Sequence, residues 1–320
     1  MGSGKWSPST YHHRSAARAA AGKDAFGYSG DAIRSGDLRP HQTLDPRGLG
    51  VRESRDSDEH PESNAIIISL DVTGSMGAVV RGIHADLPRL HELLLGHRYI
   101  PHPQILFAAV GDATCDAVPL QVGQFESDNR MDQNLENMVL EGGGGGQKTE
   151  SYELTLYVAA RHTATDCWDK RRRKGYLFMI GDEMAYPAVS REEVRRLIGP
   201  GPQSDLPLEH LIAEVEQRYH VFYVIPGGAS NGGDKQVVGF WEKHLGPRRV
   251  LRLESPDDTS ECIGRTIGLC EGALDPSAGG PPDGGGILTR AVGRVTRAFG
   301  SVVPGATPTA PTPPARPRRL

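Results

Sequence analysis

Asn64-Ala-Ile-Ile-Ile-Ser-Leu-Asp-Val-Thr-Gly-Ser-Met76 decides how the rest of the chain is read. From Ala65 to Leu70 it is apolar and β-branched, the pattern of a strand buried on both faces, as in a parallel sheet covered by helices. The run ends in three oxygen-bearing side chains at alternate positions, Asp71, Thr73 and Ser75. Polar groups at the carboxyl end of such a strand lie where open α/β sheets bind ligands. One carboxylate and two hydroxyls, all oxygen, suit a small hard cation such as Mg²⁺ or Mn²⁺. Taken alone, the same residues also fit a strand running into a Ser/Thr/Gly turn, so the remaining chain has to decide.

Downstream, Val80, Ile83, Leu87, Leu90 and Leu94 recur at helical spacing, and Pro88 should kink or restart that helix. Residues 104–111 form a second buried strand, and Pro119 to Phe125 alternates like a short edge strand. A helix is expected over 128–141 and another from Glu150 to Ala160. Tyr176 to Ile180 is a third long apolar strand, ending at Gly181-Asp182-Glu183. Ser190 with Glu193 makes a capping box for a helix through Ile198. Pro207 opens the next helix, with Leu208, Leu211, Ile212, Val215 and Tyr219 on one face. Val221 to Ile225 is a strand, Val237 to Leu245 a helix, Val250 to Leu253 a strand and 258–274 the last helix. This alternation predicts an α/β domain over 64–274, a doubly wound, mostly parallel sheet of six strands with helices on both faces.

The flanks differ in character. Residues 1–63 are polar, yet Trp6, Tyr11, Phe26 and Tyr28 are more aromatic content than a solvated tail usually carries, so an arm lying against the domain competes with disorder. Residues 275–286 read as a Pro/Gly linker, 287–299 as a short basic amphipathic segment and 300–320 as a disordered Pro/Thr-rich basic tail.

Composition narrows the function. The 320 residues carry a formal net charge of −4, which argues against a general nucleic-acid binder. Cys115, Cys167, Cys262 and Cys270 show no CxxC pair and no disulfide-like spacing, as expected of reduced thiols in a cytoplasmic protein. No run approaches the length of a membrane span, and residues 15–23 are too small-sided and charged for a signal-peptide core.

Three segments then point at one place: Asp71, Thr73 and Ser75 after the opening strand, the loop closing at Thr149-Glu150, and Asp182 after the strand Tyr176–Ile180. Here the chain resembles the von Willebrand factor A family, whose metal-ion-dependent adhesion site uses an Asp-x-Ser-x-Ser motif, a later Thr and a later Asp. Asp71-Val72-Thr73-Gly74-Ser75 is similar to that motif with Thr for its first Ser, and Asp182 matches the final acid. The resemblance covers about residues 64–274. It departs at the middle position, where counting back from Leu156 and Ala159 reaches Glu150, with Thr149 one place short. The count favours Glu150 and leaves Thr149 as the alternative.

The resemblance implies a Rossmann-like, metal-dependent protein-binding module that is no enzyme. It holds Mg²⁺ or Mn²⁺ through Asp71, Thr73, Ser75, Thr149 or Glu150, and Asp182, and a partner protein's carboxylate joins the ion. It also implies an AAA+ ATPase as a candidate partner. The composition suggests a high-GC bacterium or its phage. The competing reading is a P-loop ATPase using Lys148, Thr149 and Asp182, because Gly142-Gly-Gly-Gly-Gly-Gln-Lys-Thr149 is similar to that loop. Against it, Gln147 adds a side chain where backbone must cradle phosphate, and no strand is expected before the glycines.

Overall fold

The computed structural model describes residues 4–143 and 148–274, the side chain of Ser75 excepted. Gly144 to Gln147, and the linker, amphipathic segment and tail expected at 275–320, lie outside the described residues.

Six strands make one sheet: β1 (Asn64–Asp71), β2 (Pro103–Val110), β3 (Leu120–Val122), β4 (Gly175–Ile180), β5 (Tyr219–Ile225) and β6 (Val250–Arg252). Their spatial order is β6-β5-β4-β1-β2-β3, parallel throughout except for the antiparallel edge strand β3. The chain steps from β1 outward through β2 and β3, then returns to β1's other side for β4. The direction of winding therefore reverses between β1 and β4, and such a reversal leaves a crevice at the strand carboxyl ends. Asp71 closes β1, and Asp182 lies two residues past the end of β4.

Every residue of β1 and β2 is buried. Alternate β1 side chains enter two separate apolar clusters, as the two-residue period of a strand requires. Ile66, Ile68 and Leu70 lie with Val80 and Ile83 of α3 (Gly77–Ala85), Leu90 of α4 (Leu87–His91) and Ile263 of α10 (Thr259–Cys270). Ala65 and Ile67 lie with Leu154 of α6 (Tyr152–Arg161), Val215 of α8 (Leu208–Arg218) and Trp241 of α9 (Lys235–Leu245). Burying each such aliphatic side chain contributes about 1.5–3 kcal/mol.

Pro88 acts as expected: α3 stops at Asp86 and α4 restarts with the proline in its first turn. Ser190 caps α7 (Arg191–Leu197), its Oγ accepting from the Glu192 and Glu193 N–H groups.

Several boundaries move for identifiable reasons. The helix expected over 128–141 is only α5, Arg130–Glu136, because the Gln121 side chain takes both backbone groups of Val139 and holds that part of the chain as an irregular loop. The helix expected from Glu150 begins at Tyr152, since Thr149–Glu150 pairs in parallel with Met184–Ala185. Tyr219, expected on the face of α8, is instead the first residue of β5 and pairs with Gly175.

The described residues ahead of β1, from Gly4 on, are built into the body. Ser7 and Pro8 start α1 (Pro8–Ala20), with the Ser7 Oγ accepting from the Thr10 N–H, and α2 comes next at Gly27–Ser35. Trp6, Tyr11, Phe26 and Leu44 are buried in the same cluster as Ile66. The Trp6 indole donates to Asp132 Oδ1 at 2.8 Å and stacks on His91 at 4.3 Å, while Arg14 and Arg18 both pair with Glu136. In the basic run Lys170–Lys174, which stays at the surface, Lys170 and Arg171 pair with Asp56, and Arg173 with Glu271.

Candidate functional site

Asp71 is fully buried at the end of β1, where the chain leaves the sheet in a short turn, Gly74–Met76. Its Oδ1 accepts from the Thr73 N–H at 2.9 Å and the Thr73 hydroxyl at 2.6 Å. Its Oδ2 accepts from the Tyr152 hydroxyl at 2.8 Å. Burial nevertheless outweighs these three donors and raises the Asp71 carboxyl to about 6, with Asp182 adding to the rise. Since Thr73 gives its proton to Asp71, its hydroxyl oxygen keeps its lone pairs for another contact. The Ser75 side chain lies outside the described residues.

Glu150, not Thr149, faces these carboxylates. Successive strand residues point to opposite sides, and the pairing with Met184–Ala185 buries Glu150 while leaving Thr149 partly exposed. Burial first, then the charges of Asp71, Glu183, Asp116 and Asp112, push the Glu150 carboxyl up to about 10. Among the described residues its Oε2 has no hydrogen-bond partner, and neither does Oε2 of Glu183; the two side chains themselves share a hydrogen bond. Glu183 is raised to about 7 by burial and by Asp71, Asp182 and Asp112. Asp182 is buried, its Oδ2 accepting from the Asn231 N–H at 2.6 Å. The neighbouring charges that raise these groups are all those of other carboxylates.

The expected residues Asp71, Thr73, Glu150 and Asp182 thus lie near one another at the strand carboxyl ends, with Thr149 beside them. Among the described residues, however, no three His, Cys, Asp or Glu side chains are arranged to hold a metal ion. The donor chemistry fits a hard divalent cation: all oxygen, rich in negative charge, with two buried carboxylate oxygens unpartnered among the described residues. The side chains as placed do not make a closed ligand set.

Several participants, Glu183 among them, escaped the sequence reading. Asp112 lies just past the end of β2 and accepts from Thr114 and from the Tyr186 hydroxyl. Asp116 accepts from the Asp112 N–H at 2.7 Å. Applying the strand-end rule to β2 as well would have found Asp112. Tyr152 and Tyr223 carried no sequence signal. The Tyr223 hydroxyl donates to the Glu183 carbonyl at 2.7 Å, accepts from the Glu183 N–H at 3.0 Å and lies 3.2 Å from the Tyr152 hydroxyl.

The phosphate-loop reading finds little in the geometry. Lys148 pairs with Asp234, and the segment before the glycines is α5 and then irregular chain, with no strand among its described residues. Gly74 (φ +39°) donates its N–H to the Gly143 carbonyl at 2.8 Å, which fixes the start of the glycine run against the turn after Asp71.

No family model matches the chain, and no curated protein does. Among solved structures it is similar to proximal thread matrix protein 1 from the mussel byssus, at 12% identity and a TM-score of 0.42 over 66% of this chain and 48% of that one. A second structure of that protein, with a zinc-occupied MIDAS motif, aligns at 11% identity and a TM-score of 0.43, again over 66% and 48%. The pilus adhesin SpaC from Lactobacillus rhamnosus GG aligns at 7% identity and a TM-score of 0.45, over 68% of this chain and 31% of that one. The chain spans less than half the length of these proteins. Strand order and winding, not these likenesses, define the fold as α/β with a mostly parallel six-stranded sheet. No described helix is long and apolar enough to cross a membrane.

Proposed function

We propose that the chain is a doubly wound, von Willebrand A-like binding module, with helices covering both faces of its sheet, that engages a protein partner through a divalent cation. Asp71, Thr73, Ser75, Glu150 and Asp182 would hold the ion, Mg²⁺ or Mn²⁺, with Thr149 in reserve at the crevice margin. When bound, the ion supplies positive charge where the protein has only carboxylates, so that an acidic group of a partner can leave water and dock there.

The observation that carries this reading is Glu150: a buried carboxyl surrounded by other acids, with one oxygen that has no partner among the described residues. Such a group is costly unless something positive joins it. What the chain's own residues contribute is orientation: Thr73 and Tyr152 hold the Asp71 carboxylate in place, and Asn231 holds Asp182. The free thiols of all four cysteines suit a reducing, cytoplasmic setting. The partner is specified only as acidic; no residue of the crevice favours an AAA+ ATPase over another protein.

Calorimetric titration of Mg²⁺ and Mn²⁺ tests the reading. Wild-type protein should bind one ion and Asp71→Ala should lose it while keeping its circular dichroism spectrum. Equal affinity in the two proteins would overturn the site. A pull-down with and without chelator then asks whether the partner depends on the ion.

A further inference from the structure

Tyr152 is fully buried, and its hydroxyl donates to Oδ2 of Asp71 at 2.8 Å. It is fixed from three sides. Its ring meets Tyr223 and Trp241 edge-on at 5.5 and 5.6 Å, Tyr223's hydroxyl lies 3.2 Å from its own, and Gly181 backs directly against the hydroxyl. Meanwhile Thr73 supplies both donors to Oδ1. The two oxygens of Asp71 are therefore committed to different protein groups, and the carboxylate cannot turn to present both edges equally.

We infer that Tyr152 is a specificity-determining residue, which keeps Asp71 from chelating a cation through both oxygens and so biases the site toward Mg²⁺ and Mn²⁺ over Ca²⁺. The inference rests on the proposed cation site. The physical basis is coordination demand. Ca²⁺ takes six to eight oxygens in flexible geometry and readily accepts a bidentate carboxylate, whereas Mg²⁺ requires a compact octahedron in which each carboxylate contributes one oxygen. A tyrosine hydroxyl locked onto Oδ2 taxes the Ca²⁺ mode and leaves the Mg²⁺ mode untouched. The tyrosine acts through Asp71 and need not touch the ion.

The test compares calorimetric affinities for Mg²⁺, Mn²⁺ and Ca²⁺ in wild type, Tyr152→Phe and Thr155→Val, with a thermal melt of each. Thr155 lies one turn along α6, and its hydroxyl makes a buried 2.8 Å hydrogen bond to Ser69 of β1, so its loss loosens the same helix–strand contact without touching Asp71. Tyr152→Phe should raise Ca²⁺ affinity relative to Mg²⁺ by roughly tenfold, the scale of one charge-assisted hydrogen bond. Thr155→Val should leave the ratio unchanged even if its melting temperature falls. An unchanged ratio in Tyr152→Phe, or an equal shift in Thr155→Val, would overturn the inference and leave the cation site standing. A wild-type protein that binds none of the three ions would overturn both.

Discussion

A methyl group placed on Gly181 would stand 1.9 Å from the hydroxyl oxygen of Tyr152. The first residue past β4 is thus a glycine because the tyrosine that holds Asp71 fills the space where a side chain would go. Its backbone is not left-handed, so the requirement is close approach and not conformation. Gly181→Ala should displace the tyrosine and cost about 1–3 kcal/mol, the usual range for overpacking a filled core. Urea denaturation checks this; a variant as stable as wild type would mean the hydroxyl moves aside freely.

Glu150→Gln should act in opposite directions on two measurements. Without added metal it replaces a repelled carboxyl by an amide that donates to neighbouring acids, so the melting temperature should rise. Mn²⁺ affinity should fall, since affinity grows with ligand charge. Glu150→Thr should weaken the ion as well, and Thr149→Ala should matter less than either. Unchanged Mn²⁺ affinity in Glu150→Gln together with a loss in Thr149→Ala would assign the middle position to Thr149.

The ion-free protein should lose stability as the pH rises. Asp71 and Glu183 are raised to about 6 and about 7, from unfolded values near 4. Across that window the folded chain keeps protons that the unfolded chain has released. Their contribution is complete below about pH 4 and declines as the pH climbs through the folded values, and Glu150 extends the decline toward 10. Histidines act in the opposite sense: His91 and His220 are lowered to about 3 and about 4 by burial, and His41, His102, His162 and His244 are lowered too, so they destabilise the fold as the pH falls through about 6.5. Urea midpoints in EDTA between about pH 7.5 and 8.5, a full unit or more above the unfolded histidine value, largely avoid the histidines. They should fall with pH, and saturating Mg²⁺ should flatten the slope. A midpoint that rises with pH in EDTA would contradict the crowding of these acids.

Trp6→Ala should cost about 3–5 kcal/mol, as for other buried tryptophans. The indole is buried against His91 and satisfies Asp132, a carboxyl that would otherwise lose a donor inside the protein. Chemical denaturation monitored by circular dichroism decides the matter. A cost under about 1 kcal/mol would mean that the segment before β1 can peel away without disturbing the sheet.

The central strands were legible because their message is local. Continuous β-branched and aromatic runs at 65–70, 104–110, 176–180 and 221–225 fit strands in the interior of a mostly parallel sheet, and polar residues end two of them at the carboxyl edge. Asp71 and Thr73 are likewise neighbours in the chain, so their contact is nearly guaranteed by the turn they share.

Long-range pairing settled the rest. Whether Thr149 or Glu150 turns inward depends on a two-residue register with Met184–Ala185, because a shift of one residue exchanges the faces of a strand. Tyr152 reaches Asp71 across 81 positions, and Trp6 reaches Asp132 across 126, without any period or motif to announce either. Isolated aromatic residues in a polar stretch such as 1–63 have no preferred face of their own. Their burial is a property of the surface that the sheet and its helices offer them, and that surface exists only once the chain has folded.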